Sequence, residues 1–113
     1  MSLPTWGQQE TVSPKQERIA LEKARGLRKK LARGADFATL VKAHSDDPGS
    51  ASIGGELGFM DPEHLVPEYQ KAVAQLSPGE LSPPVRSPFG YHLIELIERK
   101  EGQVNTRHLL VRP

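Results

Sequence analysis

The chain has 113 residues, a net charge of +1, 36% hydrophobic and 26% charged residues, and no cysteine. That length suits one domain with a modest core, and the charge balance sets up no overall field toward nucleic acid or membrane. Disulfides and cysteine-based metal sites are excluded, and no apolar run approaches the roughly 20 residues of a membrane-spanning helix.

Residues 1–12 are polar and aperiodic and read as a tail or loop, with Met1-Ser2-Leu3 as an added start ahead of a fragment of a longer protein. No segment reads as a secretory signal. Ser13-Pro14-Lys15-Gln16 is a helix start: serine caps, proline suits the first helical position, and Gln16 can complete a capping box. Ala20, Ala24, Leu27 and Leu31 recur at helical spacing up to Gly34. Asp36 restarts a helix with Phe37, Leu40 and Val41 as its apolar stripe, and Val66, Tyr69, Val73 and Leu76 mark a third.

Ser77-Pro78-Gly79 is a turn, and Pro83-Pro84-Val85-Arg86 reads as a short edge-like strand start. Tyr91–Glu98 is apolar on both faces, as a central, doubly covered strand would be. A turn-length connection leads to a last strand over Val104–Val111. Helices followed by antiparallel strands predict an α+β domain.

Two segments do not read as packing filler. Ser45–Phe59 is small, polar and glycine-rich around a lone Leu57, and Ser87-Pro-Phe-Gly-Tyr-His92 sets a histidine at the mouth of an apolar strand. Taken singly these residues have plain readings. Asp46-Asp47-Pro48-Gly49 suits a turn, Leu57 and Tyr69 suit a core, and a strand histidine is usually a satisfied core residue.

In combination the motifs Ser-Asp-Asp, Gly-Gly-Glu-Leu-Gly, Pro-Val and Phe-Gly-Tyr-His, in this order, resemble the parvulin family of peptidyl-prolyl cis-trans isomerases. The likeness is greatest to the domains of SurA-type periplasmic chaperones, and it spans residues 13–98 plus Arg107–Val111 out of order. It implies a four-stranded antiparallel sheet wrapped by three to four helices. It also implies a catalytic group of Asp47, Ser87, His92 and His108, and a proline pocket of Leu57, Leu65, Tyr69 and Phe89. Leu65 stands where many members have methionine, and Tyr69 where phenylalanine is usual, so the tyrosine hydroxyl needs a partner. No cofactor is implied. The histidines are expected to fix geometry, not to carry protons.

Family members open with a central strand bearing a histidine ahead of the long first helix. Here the matching Arg107-His108-Leu109-Leu110-Val111 comes last. The expected division is a tail over 1–12, the isomerase domain over 13–100, and over 101–113 a strand resembling the start of a following domain. That strand would fill the first-strand slot, either within one molecule or by exchange between two.

The implied partners are proline-containing unfolded polypeptides, outer-membrane proteins among them, in the periplasm; the missing cysteines fit that oxidising compartment. A non-catalytic peptide-binding chaperone module of the same fold is the alternative. From Pro14 to Gly34 eight Lys or Arg stand against Glu17 and Glu22, a local +6. With no interleaved aromatics this reads as a solvated face and not as a nucleic-acid site. The loop Thr5–Ser13 has no Lys or Arg, so no preference for phosphorylated Ser/Thr-Pro is expected. His44 is expected to end the second helix, His64 to lie at the surface, and no histidine pair has zinc spacing.

Overall fold

The computed structural model of the chain describes residues 11–113. Helix α1 spans Pro14–Ala32, α2 Phe37–His44 and α3 Pro67–Ala74, with short 3-10 turns at Ala51–Ile53 and Pro62–His64. The strands are β1 Glu56–Met60, β2 Val85–Ser87, β3 Gly90–Lys100 and β4 Gln103–Val111, all antiparallel in the order β1-β4-β3-β2. The expected α+β class with a four-stranded antiparallel sheet is what the chain forms. Trp6 and most of the expected tail lie outside the described residues.

Local chemistry fixes the helix starts. Gln16 N donates to Ser13 Oγ at 3.1 Å and Ser13 N to Gln16 Oε1 at 2.9 Å, the reciprocal capping box read from the sequence. Asp36 caps α2 by accepting from Thr39 N at 3.0 Å. Arg99 holds the end of α3, donating to the carbonyls of Val73 at 2.6 Å and Leu76 at 2.9 Å.

The sheet divides the core into two layers. On one face α1 and α2 bury Ala20, Ala24, Leu27, Phe37 and Val41 against Leu93, Leu109 and Val111. On the other, α3 buries Tyr69 and Val73 against Ile94, Leu96 and Val104. β3 and β4 therefore carry apolar residues on both faces, since each is central and covered on both sides.

The strand β1 differs from the sequence reading, which left Ser45–Phe59 as a glycine-rich segment without a strand. Its ladder with β4 skips Leu57 at an irregularity between Glu56 and Gly58, so alternation is broken where a strand would have announced itself. β3 is also longer at both ends than expected, because β4 pairs with it through Lys100↔Gln103. Glu101 (φ 52°) and Gly102 (φ 79°) make the two-residue turn between them.

The last strand in sequence is thus a central strand of the sheet. β4 lies between β1 and β3 within one chain, with nine residues registered on β3 and four on β1.

Candidate active site

Period-two alternation in β4 points Val104, Thr106, His108 and Leu110 toward the α3 side of the sheet, and His92 and Ile94 of β3 point the same way. His92 faces Leu110 and His108 faces Ile94 across the ladder, so the two histidines are diagonal neighbours. Their rings lie 19° from parallel with Nδ1 to Nδ1 at 3.0 Å.

The outer ring nitrogens continue the line. His92 Nε2 is 2.6 Å from Ser87 Oγ, which also accepts from Phe89 N at 3.1 Å. His108 Nε2 is 2.9 Å from Asp47 Oδ2, and Ser50 Oγ donates to the same oxygen at 2.5 Å while lying 3.2 Å from His108 Nε2. The four residues expected to be catalytic therefore form one continuous chain, Asp47–His108–His92–Ser87.

With Asp47 ionised, that chain admits one set of protons for two neutral rings. Asp47 can only accept, so His108 carries its proton on Nε2 and presents a bare Nδ1. His92 then donates from Nδ1, and its Nε2 accepts from the Ser87 hydroxyl. Every polar atom is satisfied, and no buried side-chain nitrogen or oxygen among the described residues lacks a partner.

The electrostatics agree with neutral rings. Burial, then repulsion from His108, lowers the His92 pKa from 6.5 to about 4. Burial also lowers His108, against the opposing pull of the Asp47 carboxylate. At Asp47 burial works upward, but hydrogen bonds from Ser50 and His108 outweigh it and hold the carboxyl below its usual range.

An apolar hollow of about 330 Å³ opens beside this line. It is walled by Leu57, Leu65, Tyr69 and Phe89, the four residues expected to bind substrate, together with Val66, Leu110, His92 and His108. Tyr69 stands edge-on to both histidines, with ring centroids 5.4 Å and 5.7 Å away. Its hydroxyl finds the partner it needs in Thr106 Oγ1 at 2.8 Å. Phe89 is 53% exposed at the mouth. Asp47 reaches the hollow, whereas Ser87 acts behind His92 and does not line it.

Several residues were not singled out in the sequence. Ser50, 1% exposed, braces both Asp47 and His108; its offset of three residues from an aspartate in a turn was the available signal. Thr106 shares a strand face with His108, which period two would have shown. Ser45 Oγ accepts from Leu110 N at 3.0 Å, and Asp46 Oδ2 accepts from Arg112 N at 2.9 Å, so the Asp47 loop is clipped to the end of β4. His64, expected at the surface, is exposed but sits on the rim of the hollow, as does Arg112.

This fold and pocket agree with what the chain is similar to. The family model of the rotamase, PPIC-type PPIase domain, matches residues 6–98. The chain belongs to that family and is a peptidyl-prolyl isomerase domain of the parvulin-like α+β kind. It is 52% identical over 81 residues to the chaperone SurA of Chromohalobacter salexigens, covering 72% of this chain and 19% of the relative. To the chaperone SurA of Polaromonas sp. it is 46% identical over 98 residues, covering 85% and 20%.

Among solved structures, the peptidylprolyl isomerase PrsA of Bacillus anthracis superposes with a TM-score of 0.70 at 40% identity, covering 72% of this chain and 37% of that one. The chain thus spans about a fifth of the length of these curated relatives.

Proposed function

We propose that this domain speeds cis/trans exchange at Xaa-Pro bonds of unfolded or extended polypeptides, without a cofactor, as one part of a periplasmic folding chaperone whose clients include outer-membrane proteins. The observation that carries this reading is that Asp47, His108 and His92, three members of the hydrogen-bonded line that ends at Ser87, meet the apolar walls Leu57, Leu65, Tyr69 and Phe89 in one hollow.

The chemistry needs no nucleophile. Rotation about the prolyl bond is opposed by a resonance barrier of about 18–20 kcal/mol. A pocket lowers it by stripping water from the prolyl carbonyl, holding the ring, and favouring the twisted amide over the planar one. The apolar walls receive the ring. Asp47, at the edge of the hollow with its charge already committed to Ser50 and His108, sets the local field beside the rotating bond. The two histidines hold Asp47 and Ser87 in register across three strands, and transfer no proton.

We further propose that β4 takes the slot of the family's opening strand, and that residues 101–113 correspond to the start of a following domain of the same kind. Two facts support this: the family match ends at residue 98, and the central strand of the sheet begins at Gln103. The sheet closes within one chain, so exchange between molecules is not needed to complete it.

The test is exchange NMR on an unphosphorylated Xaa-Pro peptide, comparing the parent chain with Asp47→Ala and Leu57→Ala. Faster exchange that falls sharply in both variants supports catalysis in this hollow. Peptide binding without faster exchange would instead identify a non-catalytic peptide-binding module.

A further inference from the structure

We infer that α1 is a docking face for an anionic lipid surface, and that it holds the domain with its pocket turned away from the bilayer. The buried residues Ala20, Ala24 and Leu27 define the inner side of the helix. At 3.6 residues per turn the opposite side carries Lys15, Arg18, Arg25 and Lys29, and the flank beside it Lys23 and Lys30, all exposed. None of the six makes an ion pair among the described residues. Of the two acids on the helix, Glu17 is half-buried and engaged by Arg86 and Tyr91, leaving Glu22 alone on the cationic side.

The charge is displaced across the fold and is not merely local. Residues Pro14 to Gly34 carry +6 while the whole chain carries +1, so the remainder carries −5. α1 covers one face of the sheet, and the hollow opens on the other. On the hollow's side, α3 and the turn before it expose Asp61, Glu63 and Glu68 against Lys71, with Arg112 at the rim of the hollow. The resulting dipole turns α1 toward a negative plane and the pocket mouth toward solvent.

The shape of the face selects the occupant. It is the outer side of a 19-residue helix, and the helix contains no aromatic residue on which bases could stack. In the middle of the cations stands one large apolar side chain, Ile19, 54% exposed. A bilayer offers both things this face can use: a plane of phosphates for the cations, and an acyl boundary for a single apolar side chain.

The experiment is co-sedimentation of the chain with phosphatidylglycerol/phosphatidylcholine vesicles and with pure phosphatidylcholine vesicles. Each basic residue near an anionic surface contributes about fivefold in partitioning. The double variant Lys29→Glu/Lys30→Glu is therefore expected to lose at least about tenfold of its binding, and Ile19→Ser a smaller, few-fold amount. Raising salt from about 0.1 M to about 1 M shortens the screening length from about 10 Å to about 3 Å and should release the chain. Both variants should keep the parent's exchange rate on a Xaa-Pro peptide, which shows that they fold. Equal binding to neutral vesicles, or binding unchanged by the double reversal, overturns the proposal. Tighter binding to a single-stranded oligonucleotide than to the anionic vesicles at equal salt overturns it in favour of nucleic acid.

Discussion

His92 and His108 meet Nδ1 to Nδ1 at 3.0 Å, diagonally across the β3–β4 ladder, and through that contact Ser87 and Asp47 belong to one hydrogen-bonded line. Its two ends lie on different segments, one on the edge strand β2 and one on the loop after α2.

If the line acts as a unit, its ends are energetically coupled. Asp47→Ala and Ser87→Ala are each expected to lower the exchange rate on an Xaa-Pro peptide by on the order of tenfold. The double variant should lose clearly less than the product of the two losses, with a coupling above about 0.5 kcal/mol. Strict multiplication of the two effects would show that the ends act independently.

Neutral histidines set a pH dependence with a definite sign. Both rings are depressed in the fold, His92 from 6.5 to about 4 and His108 in the same direction, chiefly through burial. The unfolded chain therefore binds more protons below about pH 6.5. The stability due to the neutral pair is whole above that pH and drains as pH falls toward 4, by roughly 3 kcal/mol for His92 alone. Asp47, held below the usual carboxylate range, adds its own loss only in stronger acid. Urea unfolding should give a lower midpoint at pH 5 than at pH 7.5, while the exchange rate of the folded protein stays level between them. Equal midpoints would mean that the rings titrate normally.

The Tyr69 hydroxyl and Thr106 are a closed pair under the pocket floor. Tyr69→Phe leaves Thr106 Oγ1 without that partner, and should destabilise by about 1–2 kcal/mol. Adding Thr106→Val removes the orphaned group and should recover most of the loss. Thermal unfolding of the two variants side by side distinguishes this from a general packing defect, in which the second substitution would only add damage.

Gly55 and Gly58 look alike in sequence but differ in space. A Cβ on Gly55 (φ 82°) would lie 2.2 Å from the carbonyl oxygen of His108, on the central strand itself. One on Gly58 (φ 73°) would meet nothing within 4 Å. Gly58→Ala is expected to cost about 1–2 kcal/mol, the left-handed backbone strain alone. Gly55→Ala should cost at least about 2 kcal/mol more, because backbone must move, and it should disturb His108 as well. Comparable unfolding midpoints would contradict the close approach of β1 to β4.

Much of this was legible in the chain, for identifiable reasons. Helix α1 announced itself through Ser13, Pro14 and Gln16, whose chemistry is local, and β3 through a run apolar on both faces. The pocket residues could be named only because several short motifs agreed, since Leu57 or Tyr69 alone looks like core. β1 stayed hidden because a register irregularity and Gly58 erase its alternation, directly after Gly54 and Gly55. Ser45 and Arg112 were not found because each acts through a contact distant in sequence, Ser45 with Leu110 and Arg112 with Asp46; for Ser50 the chain offers the local offset from Asp47 but not the reach to His108. Local pattern carries no trace of such pairings.

The central position of β4 also makes the whole sheet depend on its last strand. β1 has no partner except β4, and the β2–β3 pair meets β1 only through it. While residues 103–111 are missing or unplaced, the earlier two-thirds of the sheet are an isolated strand and a two-stranded ribbon, neither stable alone in water. β4 reaches β3 through the two-residue turn at Glu101 and Gly102, whereas its pairing with β1 joins segments far apart in sequence, whose loop entropy must be met before packing is gained. A chain without β4 therefore lacks a continuous sheet and, with it, the hollow that draws His108 from that same strand.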